Sequence, residues 1–230
     1  MKKLVVVALV VLLGSFALGA DDQPKESKAV DRVQAAADVL NEIQSAPDSG
    51  IPGDILSRAD CVAVVPSMLK GGFIVGGKYG RGLASCRTPK GWSAPAFFTV
   101  AGGSFGFQIG GSETDVIMLV MNDRGAQRML ESQFTLGAEG EVAAGPVGRD
   151  ATAQTDAKFT AEILSWSRSR GIFAGIALKG ATLRQDIDDN QALYGKRLEN
   201  REIVAGAVKP NGAGRKLIAA LDRRSPQEHK

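Results

Sequence analysis

From Ser27 to Gln44 the apolar residues Ala29, Val30, Val33, Ala36, Ala37, Leu40 and Ile43 recur at steps of three and four, with Lys28, Asp31, Arg32, Asp38 and Glu42 between them. That spacing predicts an amphipathic helix. Its apolar face is rich in alanine and its polar face carries both signs of charge, a composition that favours packing on a domain over lying among lipid headgroups. Ala46-Pro-Asp-Ser-Gly50 supplies turn chemistry, and a second short helix is expected from Pro52 to Ala59, with the proline in its first turn.

Beyond Asp60 the period changes to short β-type runs divided by glycine: Cys61–Val65 (closed by Pro66), Phe73–Tyr79, Leu83–Arg87, Ala94–Ala101, Phe105–Ile109 and Asp115–Met121. The last contains Val-Ile-Met-Leu-Val without a break, which predicts a strand covered on both faces at the centre of the core. Asn122 and Asp123 offer capping oxygens to a helix reaching Ser132. Strands are expected again at Leu136–Ala144, at Ala157–Ile163 with its alternation of period two, at Ile172–Leu178, and at Ala181–Arg184 after a Lys179-Gly180 turn. Short turns between adjacent runs favour antiparallel pairing. The residues beyond Arg197 are expected to form a helical extension and a polar tail.

Residues 71–112 hold 12 glycines in 42 positions, where ordinary composition of ~7% gives about three, so glycine has a backbone purpose here. Bulges, positive φ and close approach of strands all suit a strongly curved sheet. The expected fold class is therefore α+β: a glycine-rich, curved antiparallel sheet, sandwich-like or barrel-like, with an N-terminal amphipathic helix and short C-terminal helices.

The first twenty residues have Lys2 and Lys3, an apolar stretch from Leu4 to Leu13, and small residues from Gly14 to Ala20. This is the pattern of a secretory signal peptide, with cleavage expected near Gly19 or Ala20 and a periplasmic or secreted mature chain. Loss of Lys2 and Lys3 lowers the formal charge from +3 to +1, which leaves no strong basic footprint for a nucleic-acid partner. Export also makes a disulfide the default state of Cys61 and Cys86, the only cysteines. The one histidine, His229, stands next to the C-terminal residue, so a positioned imidazole for Ser-His or Cys-His chemistry and a histidine-cysteine metal site are both missing. Glu139 and Glu141 fall on one face of the expected strand, as acid-base pairs sometimes do, but a solvated strand face explains them as well. No catalytic residue, metal or cofactor is assigned.

The run AVVPSMLKGGFIVGGKYGRGLASCR from Ala63 to Arg87, then GWSAPAFFTVAGGSFGFQIGG from Gly91 to Gly111, resembles the SYLF domain. AAGPVGRDA at Ala143–Ala151, AEILSWSRSRGIFAGIALKGATL at Ala161–Leu183 and NQALYG ending at Gly195 match the same family. The resemblance covers residues 51–196, flanked by segments 21–50 and 197–230. It implies a non-catalytic, lipid-binding domain, since eukaryotic SYLF proteins bind phosphoinositides and yeast members also bind and bundle actin. In an exported protein the expected partner is an anionic phospholipid surface, and actin is not expected. The alternative function is a protein-interaction or assembly module with an envelope protein as partner.

Candidate lipid contacts are Lys70, Lys78, Tyr79, Arg81, Arg87, Lys90 and Trp92, five cations and two interface-seeking aromatics within a short stretch. Strand alternation can instead send these side chains to different faces as ordinary surface charges. Trp166 with Arg168 and Arg170 poses the same choice, with Trp166 expected in the core.

Overall fold

The structure is a computed structural model and describes residues 24–42, 50–147, 161–169 and 172–225. The expected signal peptide and His229 lie outside them. Helix α1 (Lys25–Glu42) and the short α2 (Gly53–Ser57) precede two very long strands, β1 (Cys61–Thr88) and β3 (Ala96–Val120), joined through β2 (Gly91–Trp92). Then come α3 (Asp123–Met129), β4 (Gln133–Thr135), β5 (Val142–Ala144), β6 (Ile163–Ser169), β7 (Ile172–Gly175), β8 (Thr182–Gln185), α4 (Ile187–Tyr194), α5 (Asn200–Val204) and α6 (Gly212–Arg224).

β1 and β3 form one antiparallel ladder running from Ala84 opposite Ala96 to Cys61 opposite Val120. The glycines that divide the apolar runs in the sequence therefore lie inside strands and do not separate them. Pro66 does not end its strand either: the ladder slips between Val65 and Met68, and Ser67 takes a φ of 53° there, with its N–H donating to Asp115 Oδ1. The missing proline N–H is absorbed by this bulge. A second slip opposite Gly72 and Ile74 leaves extra residues on β3.

On its other edge β3 pairs with β6 over 115–120 and with β8 over 98–101, β8 pairs with β4, and β6 pairs with β5 and β7. Among the described residues six of the seven strand pairings are antiparallel, and β5 with β6 is parallel. Of the expected strand at 136–144 only Val142–Ala144 is one, because Gly137 at φ 81° turns the chain after β4. Of the expected strand at 157–163 only the end is described, and Ile163 there begins β6. The expected strand at 172–178 is shorter, ending at Gly175.

The ladder curls so that β1 meets itself. Cys61 and Cys86, near its two ends, are disulfide-bonded with Cα atoms 3.9 Å apart. Inside the curl lies a core of alternate residues: Ala63, Val65, Met68, Ala84, Phe98, Val100, Val116, Met118, Val120, Phe134 and Leu183. The intervening residues Val62, Val64, Leu83, Phe97, Ile117, Leu119, Leu164 and Trp166 face outward into a second core closed by α1, α2, α4 and α6. Residues 116–120 are each 0% exposed, as a strand buried on both faces requires. Helix α1 spends its alanine-rich stripe, Ala29, Val33, Ala36, Ala37 and Leu40, on this layer, with α6 beside it.

Candidate functional site

Between β8 and β6, residues 102–114 of β3 have no third strand among the described residues. With the facing part of β1, residues 68–78, they form a two-stranded ribbon; of the sequence-predicted contacts it carries Lys70 and Lys78, while Tyr79 and Arg81 stand just beyond it, opposite Ala101 and Thr99 where β8 is the third strand. Past the bulge, alternation from the buried Met68, and the packing of Gly80 against Val65 and Met68, set the even-numbered residues of β1 on the inner side of the curl. Lys70 and Lys78 thus share the inner side, while Leu69 (56% exposed) and Tyr79 (47% exposed) share the outer one.

Lys78 stands opposite Gly102, and its chain lies across the space a side chain there would take: its Cε is 2.9 Å from where a Cβ would be. Burial, with Lys70 as a second cation, holds the Lys78 ammonium below its ordinary pKa of 10.5. Neither lysine has a carboxylate within ion-pair distance among the described residues.

Arg81 points to the outer side and belongs to another group. Its Nε donates to Tyr79 Oη at 3.3 Å, and its guanidinium lies 3.8 Å from Asp186 and 3.6 Å from Asp189 at the start of α4. The Tyr79 hydrogen bond and, further down, the two aspartates hold Arg81 above its ordinary pKa against the effect of burial. Asp189 also pairs with Arg32 of α1, and burial, reinforced by Asp186, raises its carboxyl above the ordinary value although both arginines oppose this. Asp186 caps α4 through Oδ1, while its Oδ2 makes no hydrogen bond.

The remaining three residues lie elsewhere, so the seven do not form one patch. Trp92 is 6% exposed, and Arg87 stacks over its ring at 4.5 Å. Arg87 also donates to the Ala59, Ser57 and Ser225 carbonyls at 3.0 to 3.2 Å, so it ties α2 and the end of α6 to the sheet. Lys90 is exposed in the β1–β2 turn. Trp166 is fully buried as expected, Arg168 pairs with Asp115 at 2.6 Å and with Glu42, and Arg170 falls outside the described residues. Glu139 turns back to accept the Thr135 N–H, which makes it a turn residue and separates it from the exposed Glu141.

Sequence reasoning missed the acidic partners Asp186 and Asp189. Their only signal was a pair of carboxylates at the first turn of an unassigned helix, where such residues are common.

A family model described as Las17-binding protein actin regulator, Ysc84, matches residues 101–224, more than half of the chain. The chain belongs to the Ysc84 family. It is 31% identical to the SH3 domain-containing YSC84-like protein 1 of Rattus norvegicus and 29% identical to that of Homo sapiens, in each case over 87% of this chain. It is also 31% identical to LAS seventeen-binding protein 3 of Saccharomyces cerevisiae over 87% of this chain. The chain spans 61% of the rat relative and 44% of the yeast one. In this Ysc84 domain the quoted NQALYG motif has a structural use. Asn190 accepts the Phe97 N–H at 2.9 Å and donates to Asn200 Oδ1 at 2.8 Å, and Tyr194 donates to the Pro95 carbonyl at 2.5 Å. Burial raises the Tyr194 hydroxyl pKa well above its ordinary value.

Proposed function

We propose that this chain is a non-catalytic interaction module of the cell envelope that holds a protein partner on its two-stranded glycine ribbon. The observation that carries this reading is the ribbon itself: a pair of strands left without further strands among the described residues, with Leu69 exposed on it and Tyr79 exposed next to its end. An isolated two-stranded ribbon is marginal in water, so a surface of this kind gains from being covered. Membership of a family described by its binding to Las17, and a yeast relative named for the same property, support a protein partner. The envelope location follows from the signal-peptide pattern of residues 1–20.

A photo-crosslinking residue placed at Leu69 or Tyr79 of the exported protein tests the reading in cells. One discrete protein adduct, absent when the residue sits at Lys90, is expected. Adducts at both places alike, or lipid adducts alone, would overturn it.

Lys70 and Lys78, two half-buried cations with no ion-paired carboxylate among the described residues, favour a second reading in which the ribbon meets an anionic phospholipid surface. Sedimentation with vesicles separates the two. The lipid reading requires recovery with anionic vesicles to exceed that with neutral ones at low salt.

A further inference from the structure

Among the described residues, the edge of β3 between its two strand partners is a strand-length gap. β8 ends its pairing at Ala101 and β6 begins at Asp115, so the backbone of 102–114 lies between two built ladders on one edge. At ~3.3 Å per residue, and allowing for the bulge, this is about 35 Å of edge. Gly103, Gly111, Ser112 and Glu113 are exposed along it, and a Cβ added at Gly103 would meet nothing within 4 Å. Edges of this kind are usually guarded by charge. Here the only ionisable residue from 102 to 114 is Glu113, at one end.

The two lysines give the gap a sign. Lys78 passes over the bare Gly102, and Lys70 stands opposite Ser112, so the two cations rise at the two ends of the ribbon's inner side. On the outer side Glu113 is the one surplus charge, because Asp115 is neutralised by Arg168.

We infer that an extended segment of a partner protein adds to β3 as a strand between β8 and β6, with carboxylates on the one face that it turns toward Lys70 and Lys78. This rests on the protein-binding reading above and names the chemistry of the partner. Main-chain hydrogen bonds supply affinity in such a mode, and the alternate side chains supply choice. The carboxylates must occur at every second position, since residues between them face outward beside Glu113 and Leu69.

The test uses the full mature chain and a fluorescent peptide of about ten residues, the length that fits the gap, alternating glutamate with threonine. Saturable binding by anisotropy is expected. It should weaken by about tenfold or more in the Lys70→Ala/Lys78→Ala double variant, whose melting temperature is measured alongside. The same peptide with every backbone nitrogen methylated has no donor on either edge, cannot form the ladder and should not bind; this control needs no change to the protein.

Equal binding of the methylated peptide, or of a lysine-threonine peptide, would overturn the proposal. So would binding of anionic vesicles with none of the peptide, which would favour the lipid reading. If the peptide fails while Leu69 or Tyr79 still captures a protein in cells, strand addition is wrong and the interaction module stands.

Discussion

Glycine does two different things in this chain, and only the coordinates separate them. Near Trp166, a Cβ on Gly145 would stand 2.0 Å from the indole Cε2, and one on Gly175 would stand 2.1 Å from the Gly145 carbonyl. The Trp166 Nε1–H donates to the Pro146 carbonyl at 2.8 Å, so the AAGPV segment is folded flat against the ring. By contrast Gly71, Gly77 and Gly103 of the ribbon meet nothing within 4 Å. Gly145→Ala is therefore expected to destabilise the fold by about 1–3 kcal/mol or more through overpacking. Gly103→Ala is expected to be neutral or to stabilise by up to ~1 kcal/mol by restricting the unfolded chain. Urea denaturation of the two variants checks this, and equal effects would contradict the distinction. The candidate contacts divide for a similar reason. Their residue types were legible, but the sequence gives no hint that Arg87 and Trp92 are occupied by Ser225, 133 or more residues further along the chain.

Among the elements, legibility followed how much of the burial was local. Helix α1 carries its own stripe and its own charges; its predicted start lies within two residues of Lys25, and the last two predicted positions, 43 and 44, fall outside the described residues. The cap of α3 was equally local: Asn122 accepts the Gly125 N–H at 2.8 Å. β6 was illegible because Ser165, Ser167 and Arg168 interrupt its apolar pattern. Ser165 is 0% exposed but donates to the Ile176 carbonyl at 2.7 Å, so a polar residue occupies a core position at little loss. At the other end of the chain α6 completes the helical layer through Leu217, Ala220 and Leu221, each 1% exposed. Leu221→Ala is expected to lose about 2–5 kcal/mol, as a cavity in a shared core does. A loss under ~0.5 kcal/mol by chemical denaturation would mean that α6 is only loosely docked.

For the molecule as a whole, the disulfide is where the sequence and the tertiary structure meet. The expectation of export made the Cys61–Cys86 bond the default, and the curl of β1 is what brings the two sulfurs together. Closing 26 residues restricts the unfolded chain by roughly 3.5 kcal/mol in the loop-entropy account. The Cys61→Ala/Cys86→Ala variant should accordingly unfold at lower denaturant with its secondary structure retained. An unchanged midpoint would show that the curl stands without its staple. By itself the sequence determined the α+β class, the doubly buried strand at 116–120, the packed first helix, the family and the redox partner of each cysteine, because these depend on local period, ordered motifs or a count of two. Tertiary structure alone decided that glycine-broken runs join into two long strands, that of the seven candidate contacts Lys70 and Lys78 share a ribbon while the other five lie off it, and that one stretch of β3 has no further strand among the described residues. The physical reason is that strand pairing is non-local: which edge is filled and which face is covered depend on residues far along the chain, and no periodicity encodes them.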